Sequence, residues 1–267
     1  MKATIFSILR NSLVDGPGIR TTVFFKGCNL RCKWCHNPEG LNPEKEILYY
    51  KTKCRGCGRC ENLTVEDKNF LCTGGAKEIC GKEYTVDELL KEIMKDKVFF
   101  DASDGGVTFS GGECMLQIDF LKTILKKCKE AGIHTAEDTA GNLNWKYFEK
   151  ILNYTDLFLY DIKAVSEQLH IEGTGFSNKA ILENIKRLSS VYTGDIIVRI
   201  PINPTFNDDY EEIKHIADFL SDVKHKKTEL LAYHCMGESK YEALNLPFTK
   251  YPLSDKESIE IYKSILK

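Results

Sequence analysis

No stretch of this chain approaches the roughly 18 consecutive apolar residues that a membrane-spanning helix needs. The first residues show no basic segment leading into an apolar one, so no export signal is expected. Neither sign of charge dominates: 37 Lys and Arg stand against 39 Asp and Glu, a formal net charge of −2. Nothing in that balance points to nucleic acid or to a membrane surface as partner. There is also no internal repeat and no low-complexity linker. A hydrophobic content of 42% is ordinary for a soluble core, and 267 residues allow one large α/β domain with a small insertion or two modest domains. Cysteine is the residue in excess. Of eleven cysteines, eight lie between Cys28 and Cys80. In a reducing cytosol clustered cysteines serve as metal or redox ligands more often than as disulfides. The composition therefore predicts a cytoplasmic, oxygen-sensitive metalloprotein.

Six apolar, β-branched segments read as strands: Arg20–Lys26, Gly106–Ser110, His134–Asp138, Asp156–Ile162, Asp195–Ile202 and Thr228–Tyr233. Helical patterns separate them. Thr85 with Glu88 forms a capping box opening Val86–Lys95. Phe120, Leu121, Ile124, Leu125 and Cys128 share one face, with Gly132 placed as a C-cap. Ser177 opens 178–188, Asp208 opens the stripe Ile213, Ile216, Ala217, Leu220, and Ser254 with Glu257 opens the last helix. Strands alternating with helices predict a parallel sheet with right-handed crossovers. Six units are too few for a closed eight-stranded barrel.

Cys28, Cys32 and Cys35 fall at spacing C-x3-C-x2-C, directly after the apolar run Thr22–Phe25. Three thiolates are too few for a closed four-cysteine site, but they can hold an iron–sulfur cluster with one iron left open to a small molecule. The same residues are also compatible with a zinc loop short of one ligand, or with three buried thiols. The spacing, with an aromatic at Trp34, resembles the signature of radical S-adenosylmethionine (SAM) enzymes. Asp15-Gly16-Pro17-Gly18-Ile19-Arg20, then Gly27-Cys28 and Cys35-His36-Asn37-Pro38, is similar to their glycyl-radical-enzyme activating branch. The likeness runs from Asp15 to about Pro247.

That resemblance implies an α/β fold, a partial (β/α)6 TIM-type barrel over residues 1–40 and 83–267 with a small ferredoxin-like iron–sulfur insert. It implies a SAM-binding [4Fe–4S] cluster on Cys28, Cys32 and Cys35. An electron from this cluster would split SAM into methionine and a 5′-deoxyadenosyl radical, which takes a hydrogen atom from a glycine of a partner glycyl radical enzyme. In such barrels chemistry gathers at the C-terminal ends of strands, and the unusual polar residues fall there. Gly111-Gly112-Glu113 resembles the family's motif for the methionine ammonium, although Cys114 stands where the family usually has proline. Asp138-Thr139 and Asp161 resemble segments that hold a monovalent cation, sodium or potassium; alone, Asp138 would read as a strand-end cap. Lys163 and Arg199 match positions near the SAM carboxylate, which a guanidinium can grip with two bonds; alone, Arg199 would read as a buried salt bridge. His234, in Leu230-Leu231-Ala232-Tyr233-His234, resembles a strand end whose histidine lies by the adenosine. Trp34 would pack either on the adenine or in the core. Asp15 counts with the three cysteines as catalytic, in the segment that meets the partner's glycine loop.

Residues 41–82 lack clear periodicity and exceed a usual connection. They carry Cys54-x2-Cys57-x2-Cys60, then Cys72 and Cys80. The pattern resembles a bacterial-ferredoxin loop and implies one auxiliary [4Fe–4S] cluster on Cys54, Cys57, Cys60 and a returning cysteine. Cys72, in Cys72-Thr73-Gly74-Gly75-Ala76, is favoured over Cys80, while a structural zinc site remains the alternative. The resemblance further implies a monomer that takes electrons from flavodoxin or ferredoxin. The short insert leans toward trans-4-hydroxy-L-proline dehydratase as partner rather than pyruvate formate-lyase, whose activator has no insert. Two rivals stand beside this reading: a radical SAM enzyme for a small molecule, and a non-catalytic iron–sulfur carrier or zinc adaptor.

Overall fold

A computed structural model describes residues 1–67 and 70–266; residues 68 and 69 of the expected insert, and residue 267, lie outside the described residues. In chain order the elements are strands β1 (Lys2–Ser12), β2 (Arg20–Phe25), β3 (Glu46–Tyr49), β4 (Lys77–Cys80) and β5 (Lys82–Thr85), then helices α1 (Val86–Met94) and α2 (Lys97–Ser103). There follow β6 (Gly106–Gly111), α3 (Ile118–Glu130), β7 (His134–Thr139), α4 (Lys146–Glu149), β8 (Leu157–Asp161), α5 (Glu167–Thr174) and α6 (Lys179–Val191). The chain ends with β9 (Asp195–Ile202), α7 (Tyr210–Leu220), β10 (Lys227–Ala232), α8 (Glu238–Ala243) and α9 (Lys256–Ile265). No helix is long and apolar enough to cross a membrane among the described residues.

The six expected strands are β2, β6, β7, β8, β9 and β10, parallel neighbours in sequence order within one open sheet. All six C-terminal ends therefore point the same way. The sheet also has two antiparallel strands that the sequence reading left out: β1 pairs with β2, and β5 pairs with β1 at the far edge. β1 escaped notice because only its first half alternates cleanly, with Ala3 and Ile5 buried while Leu9 is exposed.

One face of the sheet carries Val23, Phe25, Val107, Phe109, Phe158, Val198 and Ile200 into a single core. The apolar stripes of α1, α3, α6 and α7 meet them there, among them Leu89, Ile124, Ile185 and Ile216. Burial of each such side chain contributes about 1.5–3 kcal/mol. The other face holds a small cluster, Ala136, Leu157, Leu159 and Ile197. Beyond that cluster, toward the strand ends, this face turns polar.

The Thr85–Glu88 capping box forms as expected. Three other helix starts lie one residue later than the sequence suggested. Asp209, not Asp208, caps α7, because the Asp208 carboxylate accepts from the Tyr262 hydroxyl of α9. Asn178 precedes α6, with its amide donating to the carbonyls of Ala164 and Val165. Asp255 caps α9, while the Ser254 hydroxyl donates to the Ile202 carbonyl. Tertiary partners decide which of two adjacent polar residues is free to cap.

The 41–82 region is anchored by a hairpin, β3 against β4, in a separate two-stranded sheet. Residues 50–67 and 70–76 extend from it and carry Cys54, Cys57, Cys60 and Cys72. The hairpin is tied to the main sheet by the buried ammonium of Lys26. It donates to the Glu39 carbonyl and to the Glu46 carboxylate, both at 2.8 Å. Lys26 directly precedes Gly27-Cys28, so this contact braces the base of the first cysteine loop against the insert.

Candidate active site

The loop after β2 holds Cys28, Cys32 and Cys35, all half-buried. Its conformation is imposed from outside. The last carbonyls of α5, freed by the end of the helix, accept from the loop: Thr174 from the Arg31 N–H at 2.9 Å and Gly173 from the Lys33 N–H at 3.0 Å. Trp34 is buried against Phe206, with ring centroids 4.2 Å apart. Burial raises the thiols above the ordinary range, Cys28 to about 11 and Cys35 to about 12, and Cys32 moves in the same direction. The positive charge of Lys163 opposes the shift at all three.

Gly111 and Gly112 end β6 in direct contact with the turn that starts this loop. A Cβ on Gly111 would lie 2.2 Å from the Phe25 nitrogen, and one on Gly112 would lie 2.2 Å from the Gly27 carbonyl oxygen. Only glycine permits that approach. It lets the Glu113 N–H donate to the Gly27 carbonyl at 2.7 Å. The Glu113 carboxylate is wholly buried and accepts from the Thr139 hydroxyl at 2.8 Å, the Ala140 N–H at 3.2 Å and the Met115 N–H at 3.4 Å. Burial raises it to about 7 in spite of those donors.

Across the strand ends runs a chain of charges. The Ser110 hydroxyl donates to Asp138 at 2.6 Å, Arg199 binds Asp138 through Nη2 and Asp161 through Nε at 3.0 Å, and Lys163 binds Asp161 at 2.9 Å. Asp161 and Arg199 are register partners on adjacent strands. Asp161, with two cations against it, is held below the ordinary carboxylate range despite burial; for Asp138, with one, burial wins and the shift is upward. For Arg199 and Lys163 burial works against the charge, but the carboxylates outweigh it and both are raised.

The segment after β10 closes over the cysteine loop from the other side. His234 stacks on His36 with centroids 3.8 Å apart. The Lys240 ammonium binds the Asn37 side chain at 2.9 Å and the Glu39 carboxylate at 2.6 Å.

Thus Cys28, Cys32, Cys35, Trp34, Gly111, Gly112, Glu113, Asp138, Thr139, Asp161, Lys163, Arg199 and His234 gather at one rim. Asp15 does not join them. It lies in the β1–β2 hairpin at the opposite end of β2, its carboxylate accepting from the Ser12 and Thr22 hydroxyls at 2.6 Å. Arg20 of the same segment is fully buried and braces that turn through the Pro17 and Val107 carbonyls. Cys114 points away from the rim, its thiol donating to Glu137 at 2.8 Å in the helix-side core. Burial holds Glu137 well above the carboxylate range, and its Oε2 has no partner among the described residues. The donor atoms of Glu113, Cys114 and Glu137 come within 4.8 Å of one another.

In the insert, the Cys54 sulfur accepts from the Gly56 N–H at 3.5 Å and the Cys72 sulfur from the Ala76 N–H at 3.3 Å. The amides of Lys77, Ala76 and Gly74 draw the Cys72 thiol below its ordinary pKa. Cys80 is the reverse: it is buried in the hairpin and pushed up to about 11. Sequence reasoning quoted His36 only within its motif and gave no role to Lys240 or to the turn 203–207 after β9, where Asn203 is fully buried with neither side-chain polar atom bonded among the described residues. The cue was present in the turn-rich run Asn203-Pro204-Thr205-Phe206-Asn207 at a strand end.

Comparison with known proteins gives the family and the fold. The family model described as the Radical SAM superfamily matches residues 22–220. The chain is 41% identical over 268 residues to the trans-4-hydroxy-L-proline dehydratase activating enzyme of Clostridioides difficile, covering 91% of this chain and 88% of that one. It is 40% identical over 257 residues to the pyruvate formate-lyase-activating enzyme of Clostridium pasteurianum, covering 96% and 91%. A crystal structure of a radical SAM methyltransferase from Sphaerobacter thermophilus matches in fold, with a TM-score of 0.60 and 12% identity over 99% of this chain and 74% of that one.

Two outcomes follow from the buried acids. Cys114→Ala strips Glu137 of its one hydrogen bond and should cost about 1–3 kcal/mol in urea unfolding, a loss that Glu137→Leu in the same chain should largely erase. Glu113, raised to about 7 from 4.5, binds its proton more tightly folded than unfolded. The stability of metal-free protein relative to its Glu113→Gln variant should therefore fall as pH rises through that interval, by on the order of 3 kcal/mol. A flat difference across that range would refute the assignment.

Proposed function

The chain belongs to the radical SAM superfamily, among the activating enzymes of glycyl radical enzymes, and on that footing we propose that it activates trans-4-hydroxy-L-proline dehydratase. The observation that carries the active-site reading is the rim itself: three thiols on one loop share the same strand ends with a buried carboxylate, an ammonium and a guanidinium. That donor set fits a [4Fe–4S] cluster held by Cys28, Cys32 and Cys35 with SAM chelated beside it. When bound, the cluster supplies the single electron that cleaves SAM and so enables hydrogen-atom abstraction from a glycine of the partner.

The chain's own residues prepare that event. The thiols are raised by burial, so loading the loop displaces their protons, and the Lys163 charge offsets part of the cost. Glu113 is poised near neutrality, and an arriving methionine ammonium would draw it fully to the carboxylate. Arg199 spends Nε and Nη2 on Asp161 and Asp138, which leaves donors of its five for the SAM carboxylate. Asp138, Thr139 and Asp161 are our candidate ligands for a sodium or potassium ion, as hard oxygen donors. His234, stacked on His36, and Trp34 border the adenosine side. Asp15, held at the far end of β2, would serve the incoming glycine loop rather than the cluster.

Cys54, Cys57, Cys60 and Cys72 would hold one auxiliary [4Fe–4S] cluster. The amide nest around Cys72 supports it over Cys80, since N–H groups aimed at a sulfur stabilise the thiolate that a metal requires. The exposed Cys54 and Cys57 suit contact with flavodoxin or ferredoxin as electron donor, with the chain acting as a monomer. The short insert and the 41% identity to the hydroxyproline dehydratase activator support that partner.

Anaerobic incubation with SAM, reductant and trans-4-hydroxy-L-proline dehydratase should give a glycyl doublet in the electron paramagnetic resonance spectrum, with 5′-deoxyadenosine released only when the partner is present. A doublet with pyruvate formate-lyase instead would reassign the partner, and none with either, clusters intact, would count against activation. Reconstituted protein should carry about eight irons, Cys72→Ala about four and Cys80→Ala about eight.

A further inference from the structure

We propose that Asn203 reads the adenine of SAM, its carboxamide taking the 6-amino group and an adjoining ring nitrogen in one two-bond contact. The proposal rests on the rim being a SAM site. Asn203 is 0% exposed, yet neither its Oδ1 nor its Nδ2 has a hydrogen-bond partner among the described residues. Buried amides are rarely left so, because both groups lose water and gain nothing. The backbone around it is fully engaged: the Asn203 N–H donates to the Asn207 side chain at 2.9 Å, and its carbonyl accepts from the Phe206 N–H at 3.0 Å. Asn207 in turn donates to the carbonyls of Lys163 and Pro201 at 2.8 Å, which ties this turn to the charged strand ends. Thr205 holds a φ of +96° within it, a conformation that persists only where the surroundings enforce it.

Strand alternation gives the direction. On β9, Ile200 and Ile202 enter the helix-side core, while Arg199 enters the rim network. Pro201 and then Asn203 continue on the side of Arg199. Phe206, three residues on, packs against Trp34 of the cysteine loop with the two ring planes tilted by 36°. The turn that carries the carboxamide is therefore joined through Phe206 to Trp34 of the cysteine loop and through Asn207 to the Lys163 carbonyl. The ionic end of SAM already has Glu113, Lys163 and Arg199 to match it. A neutral group offering one donor beside one acceptor matches an adenine edge, where an amine adjoins a ring nitrogen, and asparagine is the side chain that pairs with it through two bonds.

The test uses full-length protein reconstituted anaerobically with both clusters kept oxidised, so that no cleavage occurs. Calorimetry would compare S-adenosylhomocysteine with its analogue lacking the 6-amino group. Wild type should prefer the first by roughly 5- to 150-fold. Asn203→Ile and Asn203→Ala should bind both about equally. Asn203→Ile should also melt at a higher temperature, because it removes two unbonded buried polar atoms. A merely structural asparagine would not combine higher stability with lost discrimination. Variants that keep the wild-type ratio, or that weaken both ligands by one common factor, overturn the proposal. Wild type with its full iron that binds no S-adenosylhomocysteine overturns the reading of the rim, and Asn203 with it; that result separates the two failures.

Discussion

Four charges largely withdrawn from water, Asp138, Arg199, Asp161 and Lys163, are shared out among three neighbouring parallel strands and the residues that follow them. None could stay charged there alone, since an isolated buried ion costs far more than a domain can spare. Parallel pairing resolves the problem: Asp161 faces Arg199 in register, and Asp138 reaches the same guanidinium from the next strand. The price is rigidity, because removing any one member strands its partner. That rigidity holds the four charges at fixed positions across the strand ends.

Backbone contact does the complementary work on the other side of the rim. Gly111 and Gly112 let β6 press against the Phe25–Gly27 turn, so that Glu113 and the cysteine loop are positioned by the same few atoms. The loop makes few bonds of its own; α5 supplies its acceptors, Phe206 its packing surface, and Lys240 its clamp at Asn37. Each comes from a different βα unit. The order of the loop is thus a property of the whole sheet, and Lys26 extends the dependence to the insert.

Much of this was legible beforehand. The six parallel strands have long apolar segments, and a strand buried by helices writes its identity plainly. The antiparallel strands β1 and β5 were not legible, because a strand with one poorly covered face carries little pattern. Helix starts at Asp209, Asn178 and Asp255 were displaced by one residue, because the neighbouring Asp208 and Ser254, with equal capping chemistry, are taken by distant partners. Cys114 left only a question in the sequence, where the usual proline is missing. Its answer, a thiol donating to a buried acid on β7, joins residues 23 positions apart.

The amino-acid sequence by itself determined the chemistry: three thiols at a spacing that faces them inward, a Gly-Gly-Glu after a strand, and paired acids and bases at later strand ends. Such signals are local, set by side-chain type and by periods of two or a few residues. Tertiary structure alone decided which groups stay unsatisfied and which neutralise each other. It placed Asp15 at the far end of β2, set His36 against His234, drew Cys72 and Cys80 in opposite directions, and left the Asn203 carboxamide buried without a partner. Desolvation and hydrogen bonding depend on atoms brought together from across the chain, and no single stretch of sequence contains them.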